Sequence, residues 1–585
     1  MIGAHLSALG LTFILYAVLA VAHFGWGAAA LRLLRIEQPE RRSVALVVWL
    51  GWAATLFVLQ LLHLFWPLNA ATVVPVFVAG AAFALPRLLA AGRGVGFPRW
   101  TRRTALAGLV ALAAATALAG WIASRSMPTP ATYDSYLYHL NKIRWLNSFP
   151  AVAGLGNLHG RLAFNQSFFA YVAALNFHPW FGQGRTLANG FLLLLALATV
   201  GEALVPVLRR PARLRAAHPL RYLPAAVAGP ALLFLAFRSD GLSSPAPDLA
   251  GILLQLVLIV ELAQGLAEWR AGQTRQDFRA AALLLLATTA LTVKLSHLAF
   301  AAAIAGFVLA YARATRNGPG AARWLAACAG VLLVWALHGY ILSGAPLYPA
   351  ALGRLPFDWA VPREKMADEA NWIFSWARQP GTHWSQVLGS WTWLGGWLRK
   401  FSRDVFAVYP LAIAAGFALL AWLGRRAGKG HPPAFLEWAL LLPPAAGLAY
   451  WFATAPDPRF AYGSFFALPI AAAPLWIWSI RDRLGRRAFG WAVGAAVALA
   501  NLHFVAPLAR RDQPAPAISF SGWHRIQPLP LRTRTTASGL TVYVPKRGDL
   551  CGDAPLPATP YFNARLRLRN PNQLSAGFTV AAPAP

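Results

Sequence analysis

The chain has 585 residues, 58% of them hydrophobic and only 12% charged, with a mean hydropathy of +0.49 and a formal charge of +32. Apolar runs near twenty residues recur along it, each long enough to cross about 30 Å of hydrocarbon as helix, which excludes an ordinary soluble domain. The charge does not point to nucleic acid: 27 of the 52 Lys and Arg sit in seven short clusters between apolar runs, at 32–42, 87–103, 209–221, 270–279, 313–323, 425–429 and 481–487, whereas a nucleic-acid surface needs one basic face interleaved with aromatics.

Short basic loops mark the cytoplasmic side of a membrane protein, and their parity sets an expected topology. The first run, His5 to about Leu34, has no basic residue ahead of it and no small-residue cleavage site, so a retained span is expected. Spans near 8–31, 43–65, 70–91 and 103–124 form an N-terminal segment, 1–124, that leaves the chain outside at Arg125. An outer segment, 125–185, follows. Its apolar run 163–180 carries Asn165, Gln166, Asn176, His178 and Pro179, which places it at the outer interface and not across the bilayer. Residues 186–509 hold the remaining bundle: spans near 186–208, 222–238 and 249–268, two short helices in 280–312 turning near Lys294 and Ser296, then 322–342, 404–423, 434–454, 460–480 and 488–508. The expectation is an all-α protein of fourteen spans with both termini outside, an outer loop at 343–403 and an outer tail at 510–585. The tail offers one strand, Leu540 to Val544; it forms a small partly β module or lies along the membrane part.

Five polar segments fall on the same outer side. In TPATYDSYLYHLNKIRWLNSFP (129–150), Leu137, Leu140, Ile143 and Leu146 mark one helical face and Asp134, Tyr138 and Asn141 another; Asp134 is either a helix cap or a functional carboxylate. GLGNLHGRLAFNQSFF (154–169) brings Asn157, His159, Arg161 and Asn165, suited to sugar hydroxyls or phosphate oxygens, or to a well-capped loop. SDGLSSPAPDLAGILL (239–254) crowds Asp240, Ser243, Ser244 and Asp248 at a span end, with Asp248 a possible cap after Pro247. Lys294 in LTVKLSHL is an ionisable group at membrane depth, which needs a partner or a function. In APDPRFAYG (455–463), Asp457 and Arg459 share a short turn.

Absent motifs narrow the chemistry. There is no HExxH and no CxxC, so a standard zinc site is not expected. GRRAGK (424–429) is short of a phosphate-binding loop, and GRGVGF (92–97) follows no strand. Cys328 lies in an apolar run and Cys551 in the tail, so no disulfide between them is expected.

The order of these segments, with YDSYLYHLNKIRWL opening an outer loop, FGQGRTLANG leading into the next span, then SSPAPDLAGILLQLVLIVEL, LTVKLSHLAF and PDPRF, resembles the GT-C superfamily of multi-spanning glycosyltransferases, which includes protein mannosyltransferases and lipid A aminoarabinose transferases. YDSYLYHLNKIRWL, GLGNLHGRLAFNQSFF and DAPLPATPYFNARLRLRN look more closely like a bacterial family of large integral membrane proteins with no assigned activity. The superfamily resemblance implies a transferase of the bacterial inner membrane that takes a sugar from a polyprenyl-phosphate-linked donor to an envelope glycan, lipid or protein on the outer face. Asp134 would be the general base, Tyr138 and His139 would shape the sugar pocket, and Lys294, Arg459 and Arg161 would hold the donor phosphate, with a divalent metal ion in some members. Two departures stand out: four spans precede the first outer loop here, where one is usual, and Ser135 follows Asp134 where a second acid is usual. A transporter or flippase for a lipid-linked glycan, and a glycan ligase or polymerase of another fold, are the alternative readings.

Overall fold

A computed structural model describes residues 2–36, 43–94, 102–209, 217–271, 277–426, 438–481, 484–502, 523 and 525–581. Parts of the basic clusters, of GRGVGF and GRRAGK, and of the expected spans 434–454 and 488–508 lie outside the described residues. Of the described residues, 71% are helical. Its first four helices are α1 (Ile2–Leu33), α2 (Val44–His63), α3 (Ala70–Gly94) and α4 (Arg102–Ser126). The outer segment holds short helices α5 (Leu140–Ser148), α6 (Leu155–Leu158) and α7 (Phe168–Ala174). The bundle continues with α8 (Gly184–Leu208), α9 (Leu223–Arg238), α10 (Pro247–Arg270), α11 (Asp277–Val293), α12 (Leu298–Ala314) and α13 (Gly318–Ser343). Loop helices α14 (Arg363–Arg378), α15 (Trp384–Val387) and α16 (Leu394–Phe401) precede α17 (Val405–Arg426), α18 (Leu442–Thr454), α19 (Tyr462–Ile480) and α20 (Arg486–Ala500).

Eleven helices among the described residues are long and apolar enough to cross a membrane. Fourteen were expected; α11, α18 and α20, with 17, 13 and 15 described residues, fall short of a full crossing length. The turn expected near Lys294 and Ser296 is present, as a 3-10 turn at Leu295–His297 between α11 and α12. The most enclosed spans are α10 and α19, while α4 is apolar and largely open on its outer sides, as lipid contact requires.

One expectation changes. The run 163–180 is not a span, as expected, since its helix α7 has 7 residues; but α7 itself does not lie along a surface, because Phe168, Phe169 and Tyr171 are fully buried, while His178 and Pro179 beyond it are exposed. A helix apolar on every side has no polar face to offer headgroups, so it packs inside instead.

The tail folds as two antiparallel hairpins, β1 (Leu531–Thr535) with β2 (Thr541–Pro545) and β3 (Leu566–Leu568) with β4 (Phe578–Val580). The strand expected at Leu540 to Val544 is β2. The tail is both a partly β module and docked on the helical part. Asp553 accepts from Arg144 at 2.9 Å and pairs with the buried Arg185 at 3.0 Å, the Gly552 N–H donates to the Tyr136 carbonyl at 2.7 Å, and the Phe578 N–H donates to the Ala153 carbonyl at 2.9 Å. Cys328 and Cys551 are buried free thiols.

Candidate functional site

Residues Ser135–His139 form one π-helical turn that leads directly into α5. Such turns insert an extra residue into the helix and are frequent at functional positions. The stripe Leu137, Leu140, Ile143 and Leu146 is buried, as its spacing demands. Asp134 and Tyr138 point into a cavity on the other face. Asn141 does not join them; it is buried and its amide donates to the Ala554 carbonyl of the tail at 3.4 Å.

Asp134 stands at the first turn of this helix but caps nothing. Its two oxygens accept instead from two guanidinium groups far apart in sequence: Arg161 Nη1 at 3.1 Å to Oδ1, and Arg459 Nη1 at 3.0 Å to Oδ2. Burial pushes the carboxyl up, but Arg459, His139 and Arg161 outweigh it and hold Asp134 below the ordinary aspartate range. The group is therefore an ionised acceptor at neutral pH. His139 and His159 are neutral there, because burial lowers them to about 4 and about 3.

The cations are held from behind. Arg459 follows Asp457, whose carboxylate accepts from the Arg459 backbone N–H at 3.2 Å and faces Lys400 Nζ at 3.5 Å. Asp457 thus does the local turn chemistry and also lies 3.9 Å from Arg459 Nε, while Arg459 Nη1 reaches across to Asp134. Lys294 pairs directly with Asp248 and lies 4.4 Å from the centre of the Phe460 ring. Asp248 is the second residue of α10, after an Ala246 cap, and serves this ion pair and not a cap. Its neighbours Ser243 and Ser244 are buried behind the cavity lining, with the Ser244 hydroxyl 2.9 Å from those of Thr132 and Ser135, and Asp240 does not reach the site. Arg161 turns its Nε toward Glu369 at 3.7 Å.

Asp134, Tyr138, His139, Asn157, His159, Arg161, Asn165, Asp248, Lys294, Asp457 and Arg459 line one cavity of about 1130 Å³, whereas Asn141, Asp240, Ser243 and Ser244 do not. Their work differs. The amide donors of Asn157 and Asn165 are spent on the Trp359 and Trp335 carbonyls, at 2.8 and 2.5 Å, so these two side chains also build the wall. Tyr138 sits edge-on between His159 and Phe164.

Sequence reading missed the opposite wall. Lys365, Glu369, Trp372 and Trp376 face the cavity from α14, and Tyr561 and Asn563 reach it from the tail. The α14 residues recur at helical spacing, i, i+4, i+7 and i+11, a signal present in the outer loop. The tail residues carry no such pattern. Burial raises the Glu369 carboxyl, only partly offset by Arg161. Among the described residues no three of His, Cys, Asp and Glu cluster as a metal-binding set. Asp134, where the resemblance would place a metal-linked acid, has both oxygens on guanidinium groups, so the residues present do not fit the divalent ion.

Comparison with known proteins adds a family. A model described as "Domain of unknown function (DUF8201)" matches residues 10–466, from α1 through Arg459 and into α19. No curated protein and no solved structure matches the chain.

Proposed function

Since the chain belongs to the DUF8201 family, whose description assigns no activity, we propose a function from the site itself: a GT-C-like glycosyltransferase that moves a sugar from a polyprenyl-phosphate-linked donor to an envelope acceptor on the outer face of a bacterial inner membrane. The observation that carries this reading is the Asp134 carboxylate, ionised between Arg161 and Arg459 in a large cavity at the ends of the spans. A carboxylate in that state is a base without a proton, and the guanidinium groups beside it are ready phosphate ligands.

The two roles are coupled. A donor phosphate entering beside Lys294 competes with Asp134 for Arg459 and releases one carboxylate oxygen toward the acceptor. The acceptor hydroxyl oxygen then forms a bond to the anomeric carbon, the bond from that carbon to the phosphate oxygen breaks, and the hydroxyl proton passes to Asp134. Polyprenyl phosphate leaves with its charge on Arg459 and Lys294. Arg161, fixed by Glu369, keeps Asp134 in place throughout.

The test compares lipid-linked sugars and envelope glycans by mass spectrometry in a parent strain, a deletion, and the deletion carrying Asp134→Asn at matched expression. The expected result is loss of one sugar modification in both altered strains, with accumulation of its polyprenyl-phosphate donor and a rate loss of about 10²- to 10⁴-fold, the usual worth of a positioned base. Full restoration of the glycan by the Asn variant would remove Asp134 from the chemistry.

A further inference from the structure

The cavity has two chemically different ends. Around Asp134, Asp248, Lys294 and Arg459 every charge has an opposite partner. Toward the tail, residues that line the cavity instead carry buried polar atoms with no partner in the protein. Asn157 Oδ1 and His159 Nε2 have no hydrogen-bond partner, although the two residues are only 4% and 5% exposed. Asn563 Nδ2, from the tail, is likewise unpartnered. A buried polar atom left without a partner costs about 1–3 kcal/mol, so several around one cavity mark a place where something else completes them.

The chemistry of that ligand follows from the donors. Asn157 Oδ1 only accepts and Asn563 Nδ2 only donates. His159 Nε2 does either, since the ring is neutral. A hydroxyl both donates and accepts, and matches all three; a phosphate only accepts at neutral pH and would leave Asn157 unsatisfied. The ring of Tyr561, 55% exposed and 5.6 Å from the His159 ring centre, adds a flat apolar surface for the C–H face of a pyranose. Gly160 keeps the backbone pressed against this wall: a Cβ there would meet Glu369 Oε2 at 2.7 Å and the Tyr348 hydroxyl at 2.8 Å.

We infer that the tail side of the cavity is a subsite for a neutral, hydroxyl-rich sugar ring, built jointly by Asn157 and His159 of the outer segment and by Tyr561 and Asn563 of the C-terminal tail. Its identity as the acceptor subsite rests on the transferase reading; sugar binding itself does not. The tail then selects the acceptor, while Lys294 and Arg459 select the donor.

The experiment uses the full chain in lipid nanodiscs and saturation-transfer NMR with the methyl glycosides of glucose, galactose, mannose and N-acetylglucosamine. Binding of undecaprenyl phosphate is measured in parallel. At least one glycoside is expected to bind, with affinity falling about tenfold or more in each of His159→Ala, Tyr561→Ala and Asn563→Ala, the equivalent of one lost hydrogen bond or stacking contact. Undecaprenyl phosphate binding should be unchanged in those variants and weakened in Arg459→Ala. Tyr561 and Asn563 lie on the tail outside the helical bundle, so their variants guard against a His159 variant that fails to fold. Absence of glycoside binding, or binding equal in all three variants, overturns the subsite. Glycoside binding without any lipid-phosphate binding keeps the subsite and removes the transferase reading, whereas the converse removes the subsite alone.

Discussion

Lys142 is the cation that the proposed chemistry leaves unused. It sits in the same outer segment as Asp134, is 5% exposed, and donates to the carbonyls of Leu162 (3.0 Å) and Phe164. No carboxylate pairs with it among the described residues, and burial lowers it from 10.5 to about 7. The sign of the consequence is fixed. Between about pH 7 and 10.5 the unfolded chain holds a proton on this lysine that the folded protein does not. Stability therefore rises with pH across that window, and the full penalty of burying the charge is felt below it. The melting temperature in detergent should climb from pH 7 to pH 9 more steeply in the wild type than in Lys142→Gln, which keeps a donor for the two carbonyls but has no charge to bury. Parallel slopes would place the lysine's titration elsewhere. Spacing alone did not reveal this burial, because a lysine beside aromatics at a span end reads equally well as one reaching for headgroups. Asp134 shows the same limit: its position suits a cap, and only the approach of Arg161 and Arg459 from distant segments separates the two roles.

Elements were more legible than their partners. Seven of the expected single spans preceding 404 coincide with observed helices to within a few residues, since a run of apolar residues bounded by charges leaves the backbone little choice in a bilayer. Which helices touch was hidden, because α1 is apolar on all sides and offers no periodic stripe. The contacts are made by glycines. A Cβ on Gly51 of α2 would lie 1.5 Å from the His23 carbonyl oxygen of α1, and one on Gly25 would lie 1.7 Å from the Gly80 oxygen of α3. Small residues let membrane helices approach backbone to backbone, where dispersion acts over the full length of contact. Gly51→Ala should therefore force α1 and α2 apart and cost on the order of 1–3 kcal/mol or more. Gly10→Ala on α1, with open space around it, should hold or slightly raise stability through helix propensity. Thermal unfolding of the two variants side by side decides the matter, and equal melting temperatures would show that the glycine contact carries no weight.

At the scale of the whole molecule, charge parity alone assigned five distant segments to one side, and the fold brings them to one cavity. The opposite wall was not legible, because neither the path of the 343–403 loop nor that of the tail is dictated by local pattern. Both are set by long-range pairs such as Arg569 with Asp358 at 2.6 Å and Asp553 with Arg185. The same geometry makes the topology testable. The start of α1 lies on the cavity side, with His5 3.3 Å from Ser124 and the Leu11 carbonyl accepting from Trp180 at 3.0 Å. The tail covers that side as well. In contrast, α12 starts beside Lys294 and runs 17 residues away from it, about 25 Å at 1.5 Å per residue, to end at Ala314 among Arg313, Arg316 and Arg323. The positive-inside rule predicts the cytoplasmic side for that end. Ala537→Cys in the tail and Ala314→Cys at the far end of α12 are both exposed positions, and the native Cys328 and Cys551 are buried and give little background. A membrane-impermeant maleimide applied to intact spheroplasts should label Ala537→Cys at once and Ala314→Cys only after permeabilisation. The reverse pattern would turn the cavity to the cytoplasm, and a donor delivered at the outer face would then have no route to Asp134.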